Sequence, residues 1–273
     1  MTALRLNRER AVDPITGKAV GVEIDQVSMT YWLDTGECLE ALSRVSLSIP
    51  PACFCSILGP SGCGKSTLLM LIAGLFRATG GRILVDGNLV TGPWPGVGMV
   101  FQRDVLLEWR TVLGNVLLPV EVKRLPLSQY RSRAQTLLEL VGLGGFAHVY
   151  PDQLSGGMRQ RVAICRALIH DPSLLLMDEP FASVDALTRE KLHADLLRLV
   201  TESPKTVVFV THSIEEAVLL ADLVVVMGPR PGTVLRTITV DIPRPRGLGT
   251  RSDPRFLQLV NDVRAVFHGM GVL

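Results

Sequence analysis

The segment Gly59-Pro60-Ser61-Gly62-Cys63-Gly64-Lys65-Ser66-Thr67 fits the pattern GxxxxGK[ST] and stands between an apolar run, Phe54 to Leu58, and a helical stretch, Ser66 to Leu75. A buried strand that passes through a glycine-rich turn straight into a helix start belongs to an open α/β sheet, with the turn at the carboxyl edge where such sheets take ligands. Gly62 and Gly64 let successive backbone amides point inward, and the helix start adds partial positive charge, so the loop can cradle phosphates. Lys65 supplies a mobile cation for β- and γ-phosphates, and Ser66 a hydroxyl for magnesium.

Leu174 to Met177, Val207 to Val210 and Val224 to Met227 are also unbroken apolar runs, as expected of central strands buried on both faces. Val22 to Ser28 and Val45 to Ile49 alternate in polarity instead, as half-exposed antiparallel strands do. Between Gln102 and about His170 the period becomes helical, with Pro119, Pro126 and Pro151 as punctuation. Ala134, Leu137, Leu138 and Val141 share one face, and Val162, Cys165 and Leu168 continue that spacing. A strand over Val234 to Ile242 and a helix from Pro254 to about His268 follow. The fold class predicted is α/β, a P-loop NTPase core with a mixed, largely parallel sheet, an antiparallel β subdomain and an inserted helical subdomain.

The run Leu174 to Met177 ends in Asp178 and Glu179, which therefore emerge at the same carboxyl edge. Asp178 is expected to hold magnesium, and Glu179 to polarise the attacking water. His212 directly follows another buried strand and reaches toward a γ-phosphate, while Ser213 and Glu216 have the spacing of a capping box. Ser155, Gly156 and Gly157 precede a helix start near Met158 and make a second anion-binding site. A second phosphate cradle beside a complete first one is redundant within one chain, so the spacing argues for a head-to-tail dimer.

Leu154 to Arg161 reads LSGGMRQR, and on this segment the chain resembles the ATP-binding subunits of ABC transporters over about Val22 to Arg246. The resemblance implies two ATP molecules sandwiched between a phosphate loop and the other subunit's Ser155, Gly156 and Gly157. It implies Glu179 as general base, His212 against the γ-phosphate and the water, Gln102 linking magnesium to the membrane partner, and Asp185 reaching across the dimer. It also assigns Tyr31 to stacking on adenine, with Trp32 beside it. VFQRDVLLEWRTVLGNV, DEPFASVDALTRE and VTHSIEEAVLLAD look most like importer subunits of the nitrate, sulfonate and taurine type. Pro51-Ala52, Glu108 and Ser183-Val184 depart from that pattern, Glu108 in the segment where the membrane partner docks.

The same resemblance divides the chain into an N-terminal extension over 1–20, an ATPase domain over 21–245 with a helical subdomain at about 103–170, and a C-terminal helical tail over 246–273. Its partners are a second ATPase subunit, transmembrane permease subunits and, indirectly, a solute-binding protein. The cofactors it implies are ATP and Mg2+. The competing class is a soluble ABC-type ATPase with no membrane partner.

Composition agrees with that outline. A net charge of +2 over 273 residues gives no field that would draw nucleic acid. An apolar share of 47% suits a surface that docks on something greasy, yet no apolar run reaches the roughly 18 residues that span a bilayer. Met1 to Arg10 lacks an apolar stretch, so the chain is expected to stay in the cytoplasm, and the resemblance implies the cytoplasmic face of the membrane, bound to a permease. The five cysteines form no CxxC pair and read as reduced thiols. Cys63 lies in the phosphate loop, so alkylation is expected to block activity and ATP to protect.

Overall fold

The apolar runs alternate between two cores, which is why they are unbroken. In the computed structural model β3 (Phe54–Leu58), β7 (Leu174–Asp178), β8 (Thr206–Val210) and β9 (Leu223–Met227) lie side by side, flanked by β6 (Val97–Val100) and β10 (Val234–Thr239) in the order β10-β9-β3-β8-β7-β6. All neighbours are parallel except β10, which runs against β9. Cys55, Ile57, Leu176 and Val208 face one core, and Phe54, Leu58, Leu175 and Val207 the other. With no water on either side, polar residues in these strands would go unpaired. The structure describes residues 18–34, 36–182 and 184–271; positions 1–17 of the expected extension, and Ser183, lie outside them.

The second sheet is antiparallel, with order β2-β1-β4-β5 from β1 (Val22–Trp32), β2 (Cys38–Ile49), β4 (Gly80–Val85) and β5 (Asn88–Leu89). Its inward residues Val22, Ile24, Val45 and Ile49 pack with Leu68, Leu69 and Ile72 of α1 (Lys65–Ile72). The helix that starts at the phosphate loop is thereby held between the two sheets.

Three helices, α2 (Val112–Val122), α3 (Leu127–Leu140) and α4 (Gly156–Leu168), intervene between β6 and β7. Pro119 lies inside α2 and does not end it; full burial of Val116 and Val120 beside it offsets the lost backbone bond. The other core is closed by α5 (Ala186–Glu202), α6 (Ile214–Leu220) and α7 (Pro254–Gly269), the last through a stripe of Phe256, Val260, Val263 and Phe267. The strand expected over 234–242 stops at Thr239, although Val240 and Ile242 remain buried in that core.

Candidate active site

The carboxyl edge of the parallel sheet carries its polar residues in a fixed lateral order. Arg230 follows β9, the phosphate loop follows β3, His212 follows β8, Asp178 and Glu179 end β7, and Gln102 follows β6. A cleft of about 530 Å³ opens along this edge, walled by Tyr31, Leu39 and Ala41 of the antiparallel sheet. Gly59, Ser61, Gly62, Gly64, Lys65, Ser66, Thr67, Gln102, Glu179 and His212 all line it.

Gly62 and Gly64 hold φ of +74° and +96°. At Gly64 a Cβ would fall 2.6 Å from Leu42 Cδ2 and 2.8 Å from the Ala41 carbonyl, so the turn admits only glycine there. Gly64 is also the N-cap of α1 and offers no side-chain acceptor; the first amides of the helix are left for an anion. Lys65 donates Nζ to the Gly59 carbonyl at 2.8 Å and to the Pro60 carbonyl at 2.9 Å. Its cation is thus parked on the loop that a phosphate would occupy.

One carboxylate oxygen gathers the far end of the cleft. Glu179 Oε2 accepts from Gln102 Nε2 at 3.4 Å and lies 3.4 Å from His212 Nδ1. Glu179 has φ of +45°, with its amide donated to Val210 O at 3.0 Å. A left-handed non-glycine residue at this position is backbone strain of about 1–3 kcal/mol, held where it aims a functional group. Asp178 is 4% exposed and stands behind the cleft, not on its wall. Burial pushes its carboxyl up, against the hydrogen bond from Ser66 and the charge of Lys65 that pull it down, and the net direction is up. A buried carboxylate next to a hydroxyl and a lysine is a hard-oxygen donor short of positive charge.

The family model for ABC transporters matches residues 42–182, from β2 through the strand that ends in Asp178 and on past Glu179. This chain belongs to the ABC transporter family. It is 48% identical over 211 residues to an uncharacterized ABC transporter ATP-binding protein of Methanocaldococcus jannaschii, covering 77% of this chain and 79% of that one. It is 43% identical over 252 residues to the taurine import ATP-binding protein TauB of Rhizobium johnstonii, covering 90% and 96%. Among solved structures, a bacterial ABC transporter cassette in dimeric form superposes with a TM-score of 0.74 at 35% identity, over 81% of this chain and all of that one. The same cassette with ADP and phosphate, a post-hydrolysis state, gives 0.73. The chain is an ABC-type ATPase that binds ATP.

Within one copy of this ABC ATPase, the second anion site is not brought to the first. Ser155 caps α4, its Oγ accepting from the Met158 amide at 3.3 Å, and neither it nor Gly156 or Gly157 lines the cleft. Asp185 caps α5 by accepting from the Thr188 amide at 3.0 Å, a bond that lowers its carboxyl, and is also outside the cleft. Tyr31 donates or accepts through its hydroxyl with Thr67 Oγ1 at 3.2 Å and packs edge-on against Phe76, whereas Trp32 is 76% exposed. Glu108, the departure from the family pattern, pairs with Arg159 of α4 at 3.3 Å.

The structure changes two local expectations. The capping box at α6 is half made: Ser213 Oγ accepts from the Glu216 amide at 3.3 Å, but the Glu216 carboxylate accepts from Thr211 Oγ1 at 2.6 Å and faces His193 instead. Cys63 is 1% exposed, and burial pushes its thiol up, so the phosphate-loop cysteine is a poor nucleophile. Leu39, Ala41 and Arg230 line the cleft without having been singled out from the sequence. Leu39 and Ala41 carry the period-2 signal of one strand face, but their burial on the nucleotide side depends on how the two sheets meet.

Proposed function

We propose that this ABC ATPase powers import of a small anionic solute, of the taurine, sulfonate or nitrate kind, through a membrane permease, as one half of a head-to-tail dimer at the cytoplasmic face. The convergence of Gln102 and His212 on Glu179 Oε2 at the end of a phosphate-loop cleft carries the catalytic part of this reading. Lys65 moves from the Gly59 and Pro60 carbonyls onto the β- and γ-phosphates. Glu179 takes the proton of the attacking water, and His212 holds the γ-phosphate.

Ser66, Asp178 and Gln102 would hold magnesium, because a hydroxyl, a carboxylate and an amide oxygen form a hard-oxygen donor set. Among the described residues no cluster of three or more His, Cys, Asp or Glu could bind a metal unaided, which suits an ion shared with a nucleotide. When bound, magnesium neutralises charge developing on the phosphate oxygens. Ser155, Gly156 and Gly157 at the start of α4 complete the partner's cleft, with Asp185 crossing beside them.

A groove of about 370 Å³ between β6 and α2, walled by Val105, Leu118, Pro119 and Val122 under Lys123 and Arg166, supports docking of a permease. Val105 and Val122 of this groove are 51% and 72% exposed, apolar surface of the kind that marks an interaction site. Val105 also has φ of +42°, an outlier for a β-branched residue. No helix among the described residues is long and apolar enough to cross a membrane. Purification of the tagged chain from native membranes in mild detergent, with mass spectrometry of what remains bound, tests the reading. A multi-spanning permease supports it; recovery only with soluble partners overturns it.

A further inference from the structure

Arg230 lines the nucleotide cleft, and among the described residues no hydrogen bond or ion pair engages its guanidinium. The other cation on the phosphate side, Lys65, is bound to backbone carbonyls. An arginine kept exposed and unpaired in a cleft that binds a polyanion is set for phosphate, since its planar fork matches phosphate oxygens.

Its backbone is fixed against the phosphate loop. Pro229 and Pro231 flank it and restrict the dihedrals on both sides. Gly232 donates to Ala41 O at 2.9 Å and accepts from the Ser43 amide at 3.0 Å, while the Gly228 amide donates to Thr233 O at 2.9 Å. A Cβ on Gly232 would fall 2.0 Å from the Cys63 carbonyl, so the hairpin after β9 lies directly on the phosphate loop. Such a loop loses little entropy when its arginine engages a ligand.

The lateral order of the sheet edge decides which part of the nucleotide it meets. His212, Glu179 and Gln102 follow β8, β7 and β6, on one side of the phosphate loop; Arg230 follows β9, on the other. We propose that Arg230 is a nucleotide-binding residue that grips the α-phosphate and ribose of ATP, from the same subunit that carries the phosphate loop. The proposal rests on the orientation proposed above, in which His212 holds the γ-phosphate beside Glu179, with the base on Tyr31 as the family resemblance implies.

Displacement of a fluorescent nucleotide from the full chain tests it, with AMP, ADP and a non-hydrolysable ATP analogue as competitors. Arg230→Ala is expected to weaken all three by a similar factor, about 10-fold for a charge-assisted contact, and Arg230→Lys by less. Loss confined to the triphosphate overturns the proposal and the orientation together. Unchanged binding of all three in Arg230→Ala, with binding weakened in Tyr31→Ala, overturns the proposal alone and leaves the orientation standing.

Discussion

Gln102 Nε2 donates to Glu179 Oε2 at 3.4 Å across 77 residues of sequence. The bond joins the loop after β6, which borders the proposed permease groove, to the carboxylate proposed as general base. An amide at position 179 keeps the size and the neighbours but cannot take a proton. Glu179→Gln is expected to lower turnover by roughly 10² to 10⁴ with ATP binding retained, read by phosphate release and nucleotide titration side by side. Hydrolysis near the wild-type rate would remove Glu179 from the mechanism.

Lys65→Ala removes the cation held 2.8 Å and 2.9 Å from the loop carbonyls. Nucleotide affinity is expected to fall by at least about 10-fold, the effect of one charged donor to phosphate. Tight ATP binding by the variant in calorimetry would contradict the role given to the loop.

Asp178 is pushed above its ordinary value, chiefly by burial. A raised pKa means that the folded chain pays to ionise this group; the cost is complete at pH 7 and disappears as pH falls below the ordinary aspartate range. Asp178→Asn is therefore expected to raise the Tm of the nucleotide-free chain at pH 7, by less at low pH, while abolishing magnesium-supported hydrolysis. A lower Tm at pH 7 would show that the ionised carboxylate stabilises the apo fold.

His170 is 6% exposed, its Nε2 is 3.1 Å from Val97 O, and its Nδ1 has no partner among the described residues. Burial first, then the charge of Lys123, pushes its imidazole from 6.5 down to about 4. The fold holds it neutral, so its contribution is whole above pH 6.5 and is lost as pH falls toward 4, by an amount on the order of 3 kcal/mol. Urea unfolding at pH 7 and pH 4.5 is expected to show a smaller acid loss in His170→Gln than in the wild type. Equal losses would place the acid sensitivity elsewhere.

Cys38 is exposed and Cys63 buried. Iodoacetamide is expected to label Cys38 first in the folded chain, and Cys63 only slowly, with or without ATP, until urea unfolds it. Fast labelling of Cys63 that ATP suppresses would restore the expectation drawn from its place in the phosphate loop.

Apolar runs were legible as strands because burial on both faces leaves little room for polar side chains, and Phe54–Leu58 matches its strand end for end although Ser56 within it is fully buried, its hydroxyl unpartnered among the described residues. Gly80–Val85 was not, because Arg82 and two glycines interrupt its pattern; its place in the sheet comes from pairing with β1. Gly59 to Thr67 was legible in full, since consecutive residues form that loop and their spacing is their geometry. Arg230 was not, since a lone arginine between prolines reads as a solvated turn until β9 is seen to lie beside β3.

Local order therefore determined what could be read without coordinates: the strand, the phosphate turn, the helix start, and the two acids that end an apolar run. Each of these depends on residues within about a dozen positions of one another, so backbone sterics and periodicity carry the information. Only the tertiary structure decided which of them meet. The strand order β10-β9-β3-β8-β7-β6 sets Gln102, Glu179 and His212 on one side of Lys65 and Arg230 on the other. That order is chosen by how two apolar faces are covered at once, a property of the whole packed core that no single segment contains.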